Sequence, residues 1–587
     1  MSIRRTPLVL AIAATLVFGL TACADRLASQ REVASAAEHD KPARVAEPKA
    51  LETIAARREA SPEAATVTGA AAQDAAGASI GLAAPAPAAP PSALALAPPP
   101  PAQAWRSPEN TERYAAIDAN PVHVTAENPV STFSIDVDTG SYANVRRMLE
   151  SGVLPPADAV RAEEFINYFD YGYLPPRSAG TPFSVTTELA PAPWNAQRTL
   201  MLVGLKGFEV PAAEIPASNL VFLIDTSGSM DDPRKLPLLV EAFGQLVPQL
   251  RARERVSIVV YAGSAGLVLP PTPGDRHHEI LAALDRLSAG GSTNGGDGIA
   301  LAYAVAREAF VEGGVNRVIL ATDGDFNVGT TSQDALETLV AAQRRSGIAL
   351  TTLGFGDGNY NDALAEQLGD VGNGNHAYID SVQEARKVLV EEMSSTLLTI
   401  AHDVKVQVEF NPAQVAEYRL IGYENRLLRR EDFNNDRVDA GEVGAGHDVT
   451  ALYELTLVGQ GGAASDPLRY APARTLPAAK GEELAFLKLR YKPSVGADSV
   501  LVQRPIRRGE IAAHAGPRLS LAAAAAGFAD ALRGGAHLGD FGLADLRALA
   551  RDAQDDAFGY REGLVALIDR AQALQAPAVA QRPVIAD

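Results

Sequence analysis

Four short apolar segments, separated by amphipathic helical patterns, occupy the middle of this chain of 587 residues. The apolar segments cover residues 220–224, 256–261, 318–321 and 349–355, and the helical patterns cover 236–250, 277–287, 298–310, 332–345 and 382–398. A strand that is apolar along its whole length is buried on both faces, as in a parallel sheet covered by helices on each side. We therefore predict an α/β fold over residues 218–398, with a doubly wound, mostly parallel sheet.

Polar loops with oxygen-bearing side chains accompany this pattern. The first apolar segment runs directly into the Asp-Thr-Ser-Gly-Ser sequence of residues 225–229, and the third is followed by Asp323. Another loop, residues 290–297, offers Thr293. Ligands of an open parallel sheet bind beyond the carboxyl ends of its strands, so we expect these carboxylates and hydroxyls to form one site.

These loops resemble the metal-ion-dependent adhesion site of the von Willebrand factor type A domain. The family pattern is Asp-x-Ser-x-Ser, then a Thr and then an Asp, and this chain has each element in that order. The resemblance implies a Rossmann-like type A domain over 218–398 with the metal ligands Asp225, Ser227, Ser229, Thr293 and Asp323. Two further carboxylates either support these ligands by hydrogen bonding or are ordinary helix-capping and turn residues: Asp297 and Asp325.

The implied donor set consists of oxygen atoms alone. Such a set favours Mg²⁺, with Mn²⁺ or Ca²⁺ as alternatives. Two carboxylates and three neutral hydroxyls leave the cation electron-poor, with a coordination position held only by water. In the family an acidic side chain of a protein ligand takes that position. The resemblance therefore implies a protein partner that offers an acidic group. In some family members ligation is coupled to movement of the last helix, which is 382–398 in this chain.

The single cysteine, Cys23, follows a segment that resembles a secretion signal. Arg4 and Arg5 precede an apolar run over residues 8–20, which is shorter than the roughly 20 residues of a membrane span. The Leu-Thr-Ala-Cys sequence of residues 20–23 resembles a bacterial lipobox, although an incidental cysteine after an ordinary signal is the alternative. We predict a signal peptide over 1–22 and lipid attachment at Cys23. Ala24 resembles the sorting signal for an outer membrane, so we expect a location in the cell envelope, facing the periplasm or the surface.

Composition separates the next segment from the rest of the chain. Residues 23–109 are rich in Ala and Pro without sustained periodicity, which predicts a disordered tether because little apolar surface can be buried. A formal net charge of −19 argues against nucleic acid as a partner, since phosphate binding requires clustered Lys and Arg. One cysteine excludes an intrachain disulfide.

Two further regions flank the type A pattern. Residues 110–215 resemble the amino-terminal extension of bacterial lipoproteins that contain a type A domain. Residues 400–580 begin with alternating strands, end in helices, and resemble the carboxy-terminal domain of undefined function in the same lipoproteins. We predict that extended segments at about 180–215 and 400–500 pair into one β-rich unit, with the type A domain inserted between them.

Three other motifs have structural explanations. Asp138 begins an Asp-Thr-Gly sequence like half of an aspartic protease site, but Asp225 is too near in sequence to complete the pair. Residues 432–436 open like a Ca²⁺ loop, yet Arg437 stands where the sharp-turn glycine belongs. The His-His-Glu sequence of residues 277–279 lacks the spacing of a zinc protease. We predict a structural turn, a solvated turn and an exposed helix face, respectively.

The function that follows is a hypothesis about binding. A full metal pattern without an accompanying nucleophile, base or cofactor loop favours an envelope-anchored, Mg²⁺-dependent protein-binding lipoprotein that is not an enzyme. Two alternatives remain open: a scaffold of an envelope complex in which metal fixes the fold or the contact, and a regulator of ion transport. The latter arises because some proteins once labelled calcium-activated chloride channels carry this domain. A hydrolase is the weakest alternative.

Overall fold

The computed structural model describes residues 111–211, 213–324, 332–465, 482–552, 556 and 558–576. The predicted signal peptide, Cys23, the predicted tether and Asp325 lie outside these residues. Within the described ranges, no helix has the length and apolar character needed to cross a membrane.

The elements are numbered in chain order. Those of the amino-terminal region are β1 (His123–Val124), β2 (Val130–Ser134), α1 (Gly140–Glu150), α2 (Ala162–Asn167), β3 (Phe183–Ala192) and β4 (Asn195–Gly207). Those of the central domain are β5 (Ser218–Asp225), α3 (Leu236–Leu246), β6 (Arg255–Tyr261), β7 (Ala265–Pro273), α4 (His277–Leu284), α5 (Gly295–Glu308), β8 (Val315–Thr322), α6 (Gln333–Arg345), β9 (Ala349–Phe355), α7 (Asp362–Val371), β10 (His376–Ile379), α8 (Val382–Arg386) and α9 (Met393–Leu397). Those of the carboxy-terminal region are β11 (Thr399–Phe410), β12 (Val415–Ile421), β13 (Gly441–Gly444), β14 (Asp448–Leu457), β15 (Glu483–Lys492), β16 (Val500–Arg507), α10 (Pro517–Leu532), α11 (Leu543–Arg551) and α12 (Tyr560–Gln575).

The sheet of the central domain has the spatial order β10-β9-β8-β5-β6-β7. Neighbouring strands are parallel except for β7, which is antiparallel to β6. Successive residues of β5 enter opposite cores: Phe222 stacks on Phe243 of α3 with ring centroids 4.2 Å apart, whereas Leu223 packs in the core that contains α5 and α6. The predicted doubly wound, mostly parallel sheet is confirmed, and it explains why β5 is apolar throughout.

The structure divides two of the predicted helices. The helix predicted over 236–250 ends at Leu246 and continues as a 3₁₀ turn that contains Pro248, which has no N–H to donate. The pattern at 382–398 is divided into α8, a π-helical turn (Lys387–Glu391) and α9. Three elements were not predicted from the sequence: β7, β10 and α7. β7 contains three prolines, and β10 is only four residues long.

Two antiparallel sheets outside the central domain pack face to face. One has the order β1-β12-β14-β4-β3, and the other has the order β13-β11-β15-β16, with β2 also paired to β11. Phe133 and Val406 from the second sheet share a core with Met201 and Tyr453 from the first. Strands from both sides of the central domain are neighbours, as in the register of Met201 with Tyr453 between β4 and β14. The predicted pairing of the two flanking regions is therefore confirmed.

Helices cover the other face of the first sheet. Leu202 and Leu452 from its strands lie in one core with Phe165 of α2 and Phe528 of α10, whose rings are 6.0 Å apart. Every residue of β14 is buried because its two faces contact different cores. The flanking regions therefore form a layered α+β unit that holds the central domain.

A group of buried acidic side chains lies near the contact between α2 and the central domain. Glu163 is 1% exposed, and its Oε2 atom has no hydrogen-bond partner among the described residues. Burial, followed by the charges of Glu424, Asp136 and Glu164, raises the pKa of Glu163 to about 8. At neutral pH this carboxyl group therefore retains its proton in the folded state, whereas in the unfolded chain it is ionised.

Replacing Glu163 with Gln is expected to stabilise the protein at neutral and alkaline pH. The wild-type carboxyl loses stability as pH rises from its ordinary pKa of 4.5 towards about 8, because only the folded state still binds the proton. At roughly 1.4 kcal/mol per pH unit, we expect a gain of about 3 kcal/mol at pH 7 that fades as pH falls below 4.5. Urea unfolding across this pH range measures the difference. The exposed Glu150→Gln variant is the control, and an equal gain in both variants, or one independent of pH, contradicts the prediction.

Candidate metal site

Asp225 is the last residue of β5 and is fully buried at the carboxyl end of the sheet. The backbone N–H of Ser227 donates to its Oδ1 atom over 2.8 Å, so the chain turns back over the carboxylate. The hydroxyl oxygens of Ser227 and Ser229 lie 3.0 Å apart. Three of the five predicted ligands therefore occupy one short turn.

Main-chain hydrogen bonds hold the loop of Thr293 against this turn. The N–H of Gly290 donates to the carbonyl of Thr226 over 2.8 Å, and the N–H of Gly228 donates to the carbonyl of Gly291 over 3.0 Å. Gly291 has a φ of +89°, a conformation that suits glycine. Thr293 itself is half-buried and lies two residues before α5 begins.

Asp323 follows β8, the strand that pairs with β5 on the opposite side from β6. Asp323 is fully buried. The burial of Asp225, together with the negative charge of Asp323, raises the pKa of Asp225 to about 6, although hydrogen bonds from Ser227 act to lower it. Two buried carboxylates side by side repel each other, and this arrangement is stable where a cation neutralises them.

Two side chains that contact Asp323 were missed by the sequence reading. Lys235 donates from Nζ to Asp323 Oδ2 over 2.9 Å and to Asn359 Oδ1 over 3.1 Å. Asn359 in turn donates from Nδ2 to Asp323 Oδ2 over 3.2 Å. Lys235 precedes an apolar helix and reads as an ordinary exposed residue. The loop of Asn359 follows β9, and its position at a strand end is the signal that points to it.

The first described residues hold the loop that carries Asn359. The N–H of Thr111 donates to the carbonyl of Gly358 over 2.8 Å, and the N–H of Gly358 donates to Glu112 Oε1 over 2.9 Å. Glu112 is also paired with Arg147 of α1 over 2.9 Å. The amino-terminal region therefore reaches the edge of the candidate site.

Contacts within the fold account for the other residues that the sequence analysis singled out. Asp297 is exposed in the first turn of α5 and accepts from Asn294. The predicted turn at Asp138 is confirmed by a hydrogen bond from its own N–H to Asp136 Oδ1 over 3.1 Å. Asp436, in the Ca²⁺-like segment, pairs with Arg490 over 3.0 Å.

The donor set fits a hard cation. Adjacent ligands in an octahedral Mg²⁺ site with bonds of 2.0–2.1 Å are separated by about 3 Å, which is the separation of the Ser227 and Ser229 hydroxyl oxygens. No group of three or more His, Cys, Asp or Glu side chains suited to a metal occurs among the described residues. A cation at this end of the sheet would therefore depend on hydroxyl ligands as well as on the two carboxylates.

Comparison with known proteins gives three family matches along the chain. Residues 219–392 match the von Willebrand factor type A domain, residues 108–202 match a family described as von Willebrand factor, and residues 395–574 match the carboxy-terminal domain of uncharacterized protein YfbK. YfbK of Escherichia coli strain K12 is 49% identical over 469 residues, which are 78% of this chain and 81% of that protein.

More distant relatives share a smaller part of the chain. Uncharacterized protein sll0103 of Synechocystis is 29% identical over 31% of this chain and 43% of its own length. Human inter-alpha-trypsin inhibitor heavy chain H4 is 29% identical over 31% of this chain and 20% of its own length. Among solved structures, von Willebrand factor type A from Catenulispora acidiphila aligns with 68% of this chain and 91% of its own, at 17% identity and a TM-score of 0.37.

Proposed function

This chain belongs to the family of von Willebrand factor type A proteins that includes YfbK, and we propose that it is a lipid-anchored envelope protein that binds a protein partner through a Mg²⁺ ion. The type A domain is a protein–protein interaction module. The finer proposal is that the partner offers an acidic side chain, that Cys23 carries the lipid, and that no reaction is catalysed. Mn²⁺ and Ca²⁺ are the alternative ions.

The observation that carries the proposal is the convergence of two buried carboxylates with a pair of hydroxyls. Asp225 and Asp323 are both fully buried, and the serine turn lies directly beyond β5. Asp225, Ser227, Ser229, Thr293 and Asp323 would hold the ion, which would supply positive charge and a coordination position for a carboxylate. The protein contributes a rigid frame, because main-chain hydrogen bonds tie the loop of Thr293 to the serine turn.

The negative net charge of the chain indicates that an acidic partner would need the ion in order to bind. The chain has a formal net charge of −19, so an acidic partner is repelled at long range. A divalent cation at the sheet edge would give a local attraction that opposes this long-range repulsion. This makes partner capture dependent on the metal, which is a measurable property.

Partner capture by crosslinking in isolated envelopes tests the proposal. We expect the wild-type chain to recover the same partner in Mg²⁺ but not in chelator, and Ser227→Ala to lose capture at least tenfold. Thr226→Ala is the matched control, because the Thr226 hydroxyl donates to the carbonyl of Tyr261 rather than facing the implied ligand set.

Three results would contradict the proposal. Capture that persists in chelator would remove the role of the metal in binding. Unfolding of the chain in chelator, followed by circular dichroism, would indicate a structural metal and favour the scaffold alternative. A partner that is captured equally by both serine and threonine variants would place the binding surface elsewhere.

A further inference from the structure

Lys235 is a buried cation at the edge of the candidate metal site. It is 6% exposed, and its ammonium group lies 2.9 Å from Asp323 Oδ2 and 3.1 Å from Asn359 Oδ1. Lysine is rarely buried without a partner, and here the partner is one of the two carboxylates implied as metal ligands. A buried positive charge therefore lies directly beside the implied ligand set in this chain.

The surrounding backbone fixes the position of this lysine. Its aliphatic stem lies over Gly356, where a Cβ atom would come within 2.3 Å of Lys235 Cε. Gly356 has a φ of +73°, and its carbonyl accepts from the hydroxyl of Tyr378. Asn359 also donates to Asp323, so the lysine and the amide together hold Asp323 Oδ2. Moving the ammonium group away from Asp323 would therefore also remove the packing of the lysine stem against Gly356.

This arrangement changes the charge that a bound cation presents. Two carboxylates and one ammonium sum to −1, so a divalent cation leaves the site at +1, whereas without the lysine it would be neutral. The ammonium group repels the cation, which weakens metal binding. The same residual charge attracts a carboxylate, which strengthens ligand binding.

We propose that Lys235 sets the specificity of the site for anionic ligands, at the cost of metal affinity. The inference rests on the proposed function, because it assigns a ligand class to the same metal site. It predicts that removing the lysine charge increases the affinity for the metal and decreases the affinity for a carboxylate. Loss of a purely structural contact would instead decrease both affinities.

The test uses the full chain and Mn²⁺ as the probe metal. In Lys235→Met we expect Mn²⁺ to bind at least about tenfold more tightly by calorimetry, since the repulsion between cations is removed. Acetate, titrated at constant ionic strength and followed by the water proton relaxation of bound Mn²⁺, is expected to bind at least about tenfold more weakly. Lys235→Gln keeps a donor to Asp323 without the charge and should behave in the same way.

Arg234→Met is the matched control. It removes the same charge at the neighbouring position, but Arg234 is half-exposed and pairs with Asp357 over 2.8 Å, so both affinities should change less than about twofold. Weaker binding of both Mn²⁺ and acetate in Lys235→Gln overturns the proposal, as does acetate binding equal to wild type. Absence of Mn²⁺ binding in the wild type instead contradicts the metal site itself, so the two failures are distinguishable.

Discussion

Replacing Asp225 with Asn is expected to abolish Mg²⁺-dependent partner binding, with a loss of affinity of about 100-fold or more, equivalent to about 2.7 kcal/mol. Asp225 supplies one of only two carboxylates in the implied ligand set, and Mg²⁺ depends strongly on anionic oxygen ligands. The substitution keeps a side-chain oxygen that can accept from the N–H of Ser227, so the turn should keep its shape. The loss should therefore be specific to the metal.

The same variant is expected to be at least as stable as the wild type when metal is removed. Burial, with the charge of Asp323, raises the pKa of Asp225 to about 6, above its ordinary value of 3.8. An elevated carboxyl pKa means that ionisation at pH 7 costs folding free energy, so a neutral amide relieves about 1–3 kcal/mol. As pH falls below the ordinary value of 3.8, the carboxyl becomes protonated in both states and the gain should disappear.

Thermal unfolding with and without Mg²⁺ measures both effects. An ion present at 100 times its Kd stabilises the wild type by about 2.7 kcal/mol, and this increment should vanish in Asp225→Asn. Thr226→Ala should retain it. A variant that is destabilised in chelator contradicts the predicted relief of buried charge. A variant that still gains stability from Mg²⁺ shows that Asp225 is not a metal ligand.

The central sheet and the positions of the candidate ligands could be predicted because both depend on local patterns in the sequence. β5, β6, β8 and β9 are apolar runs ended by polar loops, and parallel pairing brings the ends of β5 and β8 side by side. The positions of Asp225 and Asp323 at the same end of the sheet follow from this topology, whereas their role as metal ligands is what the family resemblance implies. The pairing of β4 with β14 was also predictable, since a domain inserted between two extended regions leaves those regions free to join.

What the sequence did not reveal depends on side-chain contacts between distant residues. Lys235 looks like an exposed residue before α3, and only the fold brings its ammonium group to Asp323. The π-helical turn after α8 depends on the N–H of Glu392 bonding to the carbonyl of Lys387, which no periodicity indicates. Buried charges such as Arg161 are equally hidden, because a charged residue before a short helix normally faces solvent.

Replacing Arg161 with Met is expected to destabilise the protein by about 3–5 kcal/mol at pH 7. Arg161 is 3% exposed and pairs with Glu164 of its own region. It connects the amino-terminal region to the central domain through ion pairs with Asp362 and Glu366. Methionine fills similar space but leaves these buried carboxylates without their shared cation. The cost comes mainly from that uncompensated charge rather than from lost packing.

The effect should depend on pH in a definite direction. Although burial opposes it, Arg161 holds the pKa of Asp362 well below its ordinary value, and this contribution to stability is lost as pH falls through the folded-state pKa. In the variant the carboxyl groups take up protons at higher pH, which removes the unpaired charge. Urea unfolding should therefore show a smaller difference between variant and wild type at pH 5 than at pH 7.

A double variant separates charge from geometry in this contact. Adding Asp362→Asn to Arg161→Met removes one uncompensated charge and should recover part of the loss, whereas Asp362→Asn alone should destabilise. Arg276→Met is the control, because its pair with Glu279 is exposed and should contribute less than about 1 kcal/mol. If the double variant is no more stable than Arg161→Met, packing rather than charge joins the two regions. If it recovers, the amino-terminal region is held to the central domain by a charge balance.

That region also carries Glu112, which holds the loop of Asn359 at the candidate metal site, so disruption of the contact is expected to weaken Mn²⁺ binding as well.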